Sequence, residues 1–433
     1  MQAFGAIFCG LAAIQLAIYI MSSLQTMAVR KKQGNLSLES LQEQVLATRA
    51  LRNQREQSRL CWNGVRKFEV FSKVIEANNI CSFHLVPHDR KPLPQFQPGQ
   101  FLTFRLRTDE SEKPVVRCYS ISSSPNPDYY RVTIKRVPSP SGSDSIPPGM
   151  VSNYFHDHVN EGDILDVEAP RGKFCIEPTL QRPIVLIAGG VGITPFVSMI
   201  NAIAETETPR ETILFYGIHT AEDEAFRDEV QTQLEKLENF SAFICYSAAN
   251  GSKPANPNGN KFLEKYHHQK ITLDLIKKVL RTSNFDFYLC GPPPMMDSLI
   301  AGLQDWGVPK NQIFTEAFGP ATGKAVRRVQ MAEPDDADSN ESKPASSDKP
   351  FQVQFSKSCK STDWKNSGAS LLELARDLDV AIESGCESGH CGTCVVAIKS
   401  GTVICTNEQG AETEEGTCLA CISVPAGNLV LDA

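Results

Sequence analysis

The feature that most constrains this chain is a C-x4-C-x2-C run formed by Cys386, Cys391 and Cys394. A fourth cysteine, Cys421, follows near the C-terminal end. This spacing is one that binds a two-iron, two-sulfur cluster. The residues between the cysteines are small or polar, as a loop must be if its backbone N–H groups are to approach the cluster sulfurs closely. The run therefore predicts a 2Fe-2S site with these four cysteines as metal ligands.

Two other kinds of site, and one other ligand, compete with this interpretation. A structural zinc site is the first, and we rank it below the cluster. A disulfide pattern ranks lower still, because the 14 cysteines are scattered and several lie in apolar runs. Cys418 stands three residues before Cys421 and is the alternative fourth ligand. We prefer Cys421, since Leu-Ala-Cys followed by Ile-Ser resembles the corresponding segment of ferredoxins.

The length and the charge restrict the broader class. A chain of 433 residues has room for about three domains. The net charge of -7 argues against a nucleic-acid surface. Small molecules and proteins are the expected partners.

The N-terminal segment predicts a membrane anchor. Residues 3–21 contain no charged side chain, and as a helix they span about 29 Å, close to a bilayer core of roughly 30 Å. Arg30, Lys31 and Lys32 follow this stretch and no basic residue precedes it, which puts the N-terminus outside and the remaining chain in the cytoplasm. A cleaved signal peptide is the alternative.

Two further segments are predicted to connect domains. Residues 30–62 are polar with leucines at helical intervals and predict a helical stalk. Residues 321–350 contain no Leu, Ile or aromatic residue and are rich in Pro, Asp, Ser, Lys and Glu. Such a composition predicts a flexible linker.

Residues 63–180 predict an antiparallel barrel, because short alternating runs are separated by Pro, Gly and Asn. Two motifs lie on it: Arg117-Cys118-Tyr119-Ser120, continued by Ile-Ser-Ser, and the later Gly149-Met150-Val151-Ser152. An R-x-Y-S-x-x-S motif with a downstream G-x-V-S resembles the ferredoxin-NADP reductase superfamily. We call residues 63–180 the flavin domain.

That resemblance implies roles for the motif residues. Arg117 pairs with the flavin pyrophosphate, as a guanidinium suits phosphate. Tyr119 packs against the isoalloxazine, and Ser120 lies near its reactive nitrogen. Gly149, Val151 and Ser152 open a helix whose N-terminal N–H groups hold a second phosphate, which favours FAD over FMN.

Residues 181–320, the nucleotide domain, begin with an apolar run that leads into a glycine turn. The run Pro183–Ala188 is typical of a buried parallel strand, and Gly189, Gly190, Gly192, Thr194 and Pro195 follow it. Strand, glycine turn and helix start form a phosphate-binding arrangement, and Pro195 suits a first helical turn. Further strands at 213–217 and 286–289 predict an open parallel sheet.

The last of these strands leads into Cys290-Gly291-Pro292, which resembles the C-G-P-P-x-M segment of the same reductases. There the cysteine lies beside the nicotinamide ring. Glu316 and Phe318 belong to a segment that resembles the family's closing segment, whose aromatic residue lies near the flavin. The resemblance therefore implies Cys290, Ser120, Phe318 and Glu316 as residues of the hydride-transfer site.

The sequence gives a partial indication of which pyridine nucleotide the protein uses. Glu222, Asp223 and Glu224 stand just after the second strand, where a 2′-phosphate would need Arg or Lys. NADH is therefore expected, and Arg227 keeps NADPH open as an alternative.

The predicted protein is multidomain. Its segments are a transmembrane anchor at 1–29, a helical stalk at 30–62, an FAD-binding antiparallel β-barrel at 63–180, an α/β parallel-sheet NAD(P)H-binding domain at 181–320, a flexible linker at 321–350, and an α+β β-grasp ferredoxin domain at 351–433. The resemblance implies electron flow from NADH through FAD and the 2Fe-2S cluster to an external acceptor.

The anchor suggests that this acceptor is a membrane oxygenase, hydroxylase or desaturase. Two alternatives stay open: a quinone reductase resembling the flavin subunit of the sodium-pumping enzyme, and a membrane redox sensor without turnover. The quinone reductase ranks lower because its ferredoxin precedes its flavin domain.

Overall fold

The computed structural model describes most of the chain after residue 59. The described residues are 19, 21–23, 27, 48, 60–107, 115–139, 148–206, 209–248, 263–318, 327–329, 351–364, 369–385, 387, 389, 391–406 and 413–433. The chain divides into two units, residues 1–61 and residues 62–433.

In the first unit, the few described residues before residue 60 are helical and exposed. The predicted anchor and nearly all of the predicted stalk lie outside the described residues. Where the structure is described, it contains no helix that combines the length and the apolar character needed to cross a membrane.

The flavin domain is one antiparallel sheet of six strands with a short helix. The elements are β1 (Val65–Ala77), β2 (Ile80–Pro87), β3 (Phe101–Leu106), β4 (Val115–Ser120), β5 (Tyr130–Lys135), α1 (Met150–Asp157) and β6 (Ile164–Glu168). The strand order is β4-β3-β6-β1-β2-β5, and an isolated bridge between Ile121 and Val132 links the two edges. Aromatic side chains fill the core between them, among them Phe83, Phe104 and Phe155. The curled sheet thus places the ends of β4 and β5 beside the start of α1.

The nucleotide domain is a parallel six-stranded sheet with helices. Its elements are β7 (Ile184–Gly189), α2 (Thr194–Glu205), β8 (Thr212–Ile218), α3 (Arg227–Lys236), β9 (Phe240–Tyr246), β10 (Leu263–His267), α4 (Leu273–Leu280), β11 (Asp286–Cys290), α5 (Pro293–Asp305) and β12 (Ile313–Glu316). The strand order is β10-β9-β8-β7-β11-β12. All six residues of β7 are buried, as expected for a strand covered on both faces. The strands β9, β10 and β12 were not predicted from the sequence.

The ferredoxin domain is built on two small sheets. Its elements are β14 (Phe351–Phe355), β15 (Lys360–Trp364), α6 (Leu371–Asp377), β16 (Val395–Ser400), β17 (Val403–Cys405), β18 (Thr417–Leu419), β19 (Ser423–Pro425) and β20 (Leu429–Leu431). The order β15-β14-β20-β16-β18 forms the larger sheet. The helix α6 begins with a capping box, because Ser370 and Glu373 each bond the other's backbone N–H. Leu371, Leu372 and Ala375 face the core.

The segment predicted as a flexible linker contains one described element. Residues Arg327–Val329 form β13, which pairs antiparallel with β17. These three residues of the segment are therefore paired with the ferredoxin domain. The other linker residues lie outside the described residues.

Candidate functional site

A cavity of about 380 Å³ lies where the flavin, nucleotide and ferredoxin domains meet. Its size is within the range of small-molecule sites. It brings together nine residues predicted from the motifs: Arg117, Tyr119, Ser120, Gly149, Val151, Ser152, Thr194, Glu316 and Phe318. The motif residues are therefore close in space although they are far apart in the chain.

The buried contact between Ser120 and Glu316 joins two domains inside this cavity. Ser120 ends β4 and its Oγ donates a hydrogen bond to Glu316 Oε2 at 3.2 Å. Glu316 ends β12 and is paired in the parallel register with Cys290 at the end of β11. Burial, and secondarily the nearby Glu316 carboxylate, raise the pKa of the Cys290 thiol well above its usual range. Cys290 is therefore a neutral thiol, suited to packing beside a ring and not to nucleophilic attack.

Tyr119 presents an aromatic ring held by two others. Its ring meets Phe104 and Phe155 edge to face, with centroids 5.8 Å and 5.4 Å apart. Burial raises the pKa of its hydroxyl, so the side chain is neutral. A ring held in this way offers a fixed apolar surface to a planar group.

The start of α1 provides a place for phosphate. The helix follows Gly149, has no acidic residue in its first turn and lines the cavity together with Arg117. Ser152 Oγ donates to Gly149 O at 3.0 Å and accepts from Val137 N at 3.2 Å. A Cβ at Gly149 would come 2.9 Å from Val137 Cβ. A guanidinium and a helix N-terminus in the wall of one cavity fit the diphosphate of FAD.

The glycine turn after β7 packs against the end of β11. A Cβ at Gly192 would lie 2.2 Å from Cys290 O, and one at Gly189 would lie 2.6 Å from Pro292 Cδ. The two motifs predicted to hold the nucleotide are therefore in direct contact. Most of their residues lie outside the wall of the 380 Å³ cavity: Gly189, Gly190, Gly192, Pro195, Cys290, Gly291 and Pro292. Only Val191 and Thr194 of the glycine turn contribute to that wall.

The predicted cluster ligands that are described are buried, and the sulfurs of two of them are close together. Cys391, Cys394 and Cys421 are each less than a tenth exposed. The sulfurs of Cys394 and Cys421 are 3.1 Å apart, which is longer than the roughly 2.0 Å of a disulfide bond. Cys386 lies outside the described residues. Among the described side chains alone, no group of three or more has a metal-binding arrangement.

The loop that carries these cysteines has the close backbone approach that a cluster needs. Gly389 and Gly392 have φ angles of 84° and 73°, a region that favours glycine. A Cβ at Gly389 would lie 2.4 Å from Ile422 Cδ1, and one at Gly385 would lie 3.1 Å from Cys391 Sγ. Small residues at these positions leave room that a side chain would fill, so this loop fits a cluster.

The same loop also reaches the flavin domain, which motif reasoning did not predict. Gly385 and Glu387 line the 380 Å³ cavity, and a Cβ at Gly385 would meet Val116 Cγ1 at 3.3 Å. Glu383 Oε2 lies 3.4 Å from Arg105 Nη2 on β3. The positive φ of Glu387, 53°, is uncommon for a residue with a side chain. The cluster loop therefore shares a wall with the predicted flavin site.

Comparison with known proteins assigns each domain. Residues 67–176 match the oxidoreductase FAD-binding domain, residues 186–300 the oxidoreductase NAD-binding domain, and residues 358–426 the 2Fe-2S iron-sulfur cluster binding domain. The chain is a reductase of the ferredoxin-NADP reductase type with a C-terminal 2Fe-2S ferredoxin domain. FAD and a 2Fe-2S cluster are its cofactors, which confirms the predicted cofactors.

Similar proteins match different shares of the chain. A flavohemoprotein of Halalkalibacterium halodurans is 37% identical over 260 residues, which is 60% of this chain and 61% of that protein. The chain thus spans less than two thirds of that relative. The solved FAD/NAD-binding domain of nitric oxide dioxygenase from Vibrio cholerae is 30% identical, with a TM-score of 0.51, and covers 60% of this chain and 100% of its own. Phthalate dioxygenase reductase is 25% identical, with a TM-score of 0.50, over 86% of this chain and 98% of its own.

Proposed function

We propose that the protein takes hydride from NADH and delivers single electrons, through FAD and its 2Fe-2S cluster, to a protein acceptor such as an oxygenase, hydroxylase or desaturase. The observation that carries this proposal is the shared cavity, whose wall contains Ser120 of the flavin domain, Thr194 of the nucleotide domain and Glu387 of the cluster loop. When bound, FAD exchanges electrons either in pairs or singly and so links a hydride donor to a one-electron centre.

The residues of this chain supply position and a dry environment for that exchange. Ser120 and Glu316 hold the flavin and nucleotide domains together at the predicted reacting face. Cys290 is fully buried beside them. Phe318 is 38% exposed at the cavity wall, where the resemblance places an aromatic residue near the flavin. This arrangement suits hydride transfer, because the reacting groups must approach within about 3–3.5 Å.

The surroundings of β8 favour NADH as the donor. Glu222 follows this strand and is exposed, so its carboxylate disfavours a 2′-phosphate. Arg227, the residue that kept NADPH open, is already engaged: its Nε donates to Glu224 Oε2 at 2.9 Å and its Nη2 to Ala221 O at 2.8 Å. Engaged in this way, the guanidinium is poorly placed to bind a phosphate.

The likeness to phthalate dioxygenase reductase supports a protein acceptor. That structure is described as a modular structure for electron transfer from pyridine nucleotides to [2Fe-2S], and reductases of this kind feed electrons to oxygenase partners. The match covers 98% of that protein, so we propose the same route of electron transfer for this chain.

An anaerobic titration of the purified protein with NADH tests the internal chain. We expect the flavin and iron-sulfur absorption bands both to bleach. Bleaching should be complete at about 1.5 equivalents of NADH, because two electrons reduce FAD and one reduces the cluster. NADPH should give the same end point at a lower rate.

Bleaching of the flavin band with an unchanged cluster band would contradict this proposal. The protein would then be a simple flavin dehydrogenase whose C-terminal domain is not coupled to FAD. Equal rates with NADH and NADPH would contradict only the nucleotide preference.

The membrane part of the proposal rests on the sequence of residues 3–21. We propose a single-pass anchor with the N-terminus outside and the catalytic domains in the cytoplasm, so that the acceptor is itself at the membrane. Deletion of residues 1–30 should leave NADH-dependent dye reduction unchanged, because the three cofactor domains begin later in the chain. It should abolish cosedimentation of the protein with lipid vesicles and impair transfer to the natural acceptor. Equal cosedimentation of the full-length and truncated proteins would contradict the anchor.

A further inference from the structure

An ion pair connects the flavin and nucleotide domains outside the wall of the flavin cavity. Arg131 lies on β5 of the flavin domain and Glu229 in the first turn of α3 of the nucleotide domain. The Arg131 Nη1–Glu229 Oε2 and Nη2–Oε1 distances are both 2.9 Å. The two side chains are only 12% and 27% exposed. A bidentate pair with this little exposure fixes both the distance between the two side chains and their relative orientation.

Each partner is held by its own domain. Arg131 Nε donates to Ser122 Oγ at 3.2 Å and its Nη2 donates to Ser122 O. Glu229 Oε1 accepts from Asn201 Nδ2 on α2. Asn201 Oδ1 in turn accepts from Gln233 Nε2 on α3 at 2.8 Å. The pair therefore joins two side chains that are already oriented, so a change in the angle between the domains must break both Arg131–Glu229 hydrogen bonds together.

The residue under the guanidinium carries an unusual backbone conformation. Phe226 precedes α3 and has φ 58° and ψ 27°, a left-handed conformation that is rare for an aromatic residue. The Arg131 guanidinium carbon lies 4.9 Å from the centre of its ring. Strained residues of this kind persist where surrounding contacts hold them, often at functional positions. Here the conformation places a buried ring under the interdomain ion pair.

We propose that Arg131 and Glu229 form a positioning strut that sets the angle between the flavin and nucleotide domains for hydride transfer. The nicotinamide is carried by the nucleotide domain and the flavin by the other, so this angle decides how closely their reacting atoms approach. A misplacement of about 1 Å costs on the order of 100-fold in rate. The proposal rests on hydride transfer from NAD(P)H to FAD and is independent of the acceptor.

The strut works together with contacts at other points of the same junction. Ser120 and Glu316 join the domains at the cavity, and Asn78 N, in the turn between β1 and β2, donates to Glu222 O at 3.0 Å. Contacts at separate points restrain rotation, whereas a single contact would act as a pivot. Loss of the strut should therefore allow the angle between the flavin and nucleotide domains to vary without separating the domains.

Stopped-flow reduction of FAD by saturating NADH tests the strut in the full-length holoprotein. Glu229→Gln keeps the shape of the side chain and removes its charge. We expect it to slow flavin bleaching by about tenfold or more, with the KM for NADH within about twofold of the original. Deuterium at the transferred position of NADH should slow the variant further. Reduction of FAD and of the cluster by dithionite should be unchanged, because dithionite donates electrons without the nucleotide domain.

The matched control is an ion pair inside the flavin domain. Arg136 Nη2 and Asp157 Oδ1 lie 2.5 Å apart, and Asp157→Asn removes a carboxylate without touching the domain junction. It should leave the rate of flavin bleaching unchanged. Arg131→Gln should resemble Glu229→Gln, and the double variant should be no slower than either single variant, because the two residues act as one unit.

Three results would overturn the strut. One is flavin bleaching in Glu229→Gln within about twofold of the original rate, since positioning effects of this kind are larger. A second is an equal loss in Asp157→Asn, and a third is a loss that matches the fraction of FAD released from the variant. The last two results would show that loss of the carboxylate slows the reaction by disturbing the folded structure and not by changing the angle between the domains.

Discussion

Replacing Cys421 by serine is expected to stop electron flow beyond FAD, whereas replacing Cys418 by serine is not. Cys421 Sγ lies 3.1 Å from Cys394 Sγ, and a serine hydroxyl is a poor replacement for a thiolate as an iron ligand. The Cys421→Ser protein should lose the iron-sulfur absorption and its reduction of a one-electron protein acceptor, by at least about 100-fold. The measurement is the absorption spectrum together with cytochrome c reduction by NADH.

Cys418 provides the control because it is also buried but occupies a strand. It lies on β18 opposite Val396 of β16 and is 4% exposed. Both variants should still bleach their flavin with NADH, which shows that the rest of the protein is folded. Loss of the cluster in Cys418→Ser with retention in Cys421→Ser would reverse the assignment of the fourth ligand.

Replacing Gly192 by alanine is expected to slow the reduction of FAD by NADH strongly. The added Cβ would lie 2.2 Å from Cys290 O and 2.6 Å from Cys290 C, which are backbone atoms held in the sheet by pairing of β11 with β7. The end of β11 must therefore shift, at a cost of about 1–3 kcal/mol in the free energy of unfolding. The shift moves Cys290, and we expect the rate of flavin bleaching to fall on the order of 100-fold.

Gly302→Ala is the matched control in the same domain. Its added Cβ would meet Leu273 Cδ2 at 2.9 Å, which is the end of a side chain that can move. Alanine is also the better helix former in α5, by about 1 kcal/mol. Thermal unfolding and stopped-flow bleaching of both variants make the comparison. A Gly192→Ala protein that bleaches as fast as Gly302→Ala would show that the glycine turn and β11 are not rigidly packed.

The sequence predicted elements whose pattern is local. A run of apolar residues before Gly189 predicted β7, and β7 is buried throughout, because a strand between two helical layers has no polar face. The strand at 286–289 was also predicted, and it pairs directly with β7 as β11. The strand β9 was missed although six of its seven residues are buried. Strand order in a sheet depends on crossover connections, which leave no pattern within a single strand.

The same distinction applies to the site. Arg117, Tyr119 and Ser152 of the R-x-Y-S and G-x-V-S motifs line one cavity, and the geometry of a strand end and a helix start follows from short-range spacing. Glu387 was not predicted to line that cavity, since its position depends on the docking of the cluster loop. Its positive φ is a structural signal that the sequence does not display.

The sequence by itself determined the cofactor chemistry of this protein. Cysteine spacing, a phosphate-binding helix start and a glycine turn are set by a few neighbouring residues, and backbone geometry fixes what such residues can bind. Only the tertiary structure decided how the domains meet. Arg131 and Glu229 are 98 residues apart, and Arg105 and Glu383 are 278 residues apart. Contacts of this kind arise from the shape and charge of whole surfaces after folding, so no short stretch of sequence encodes them.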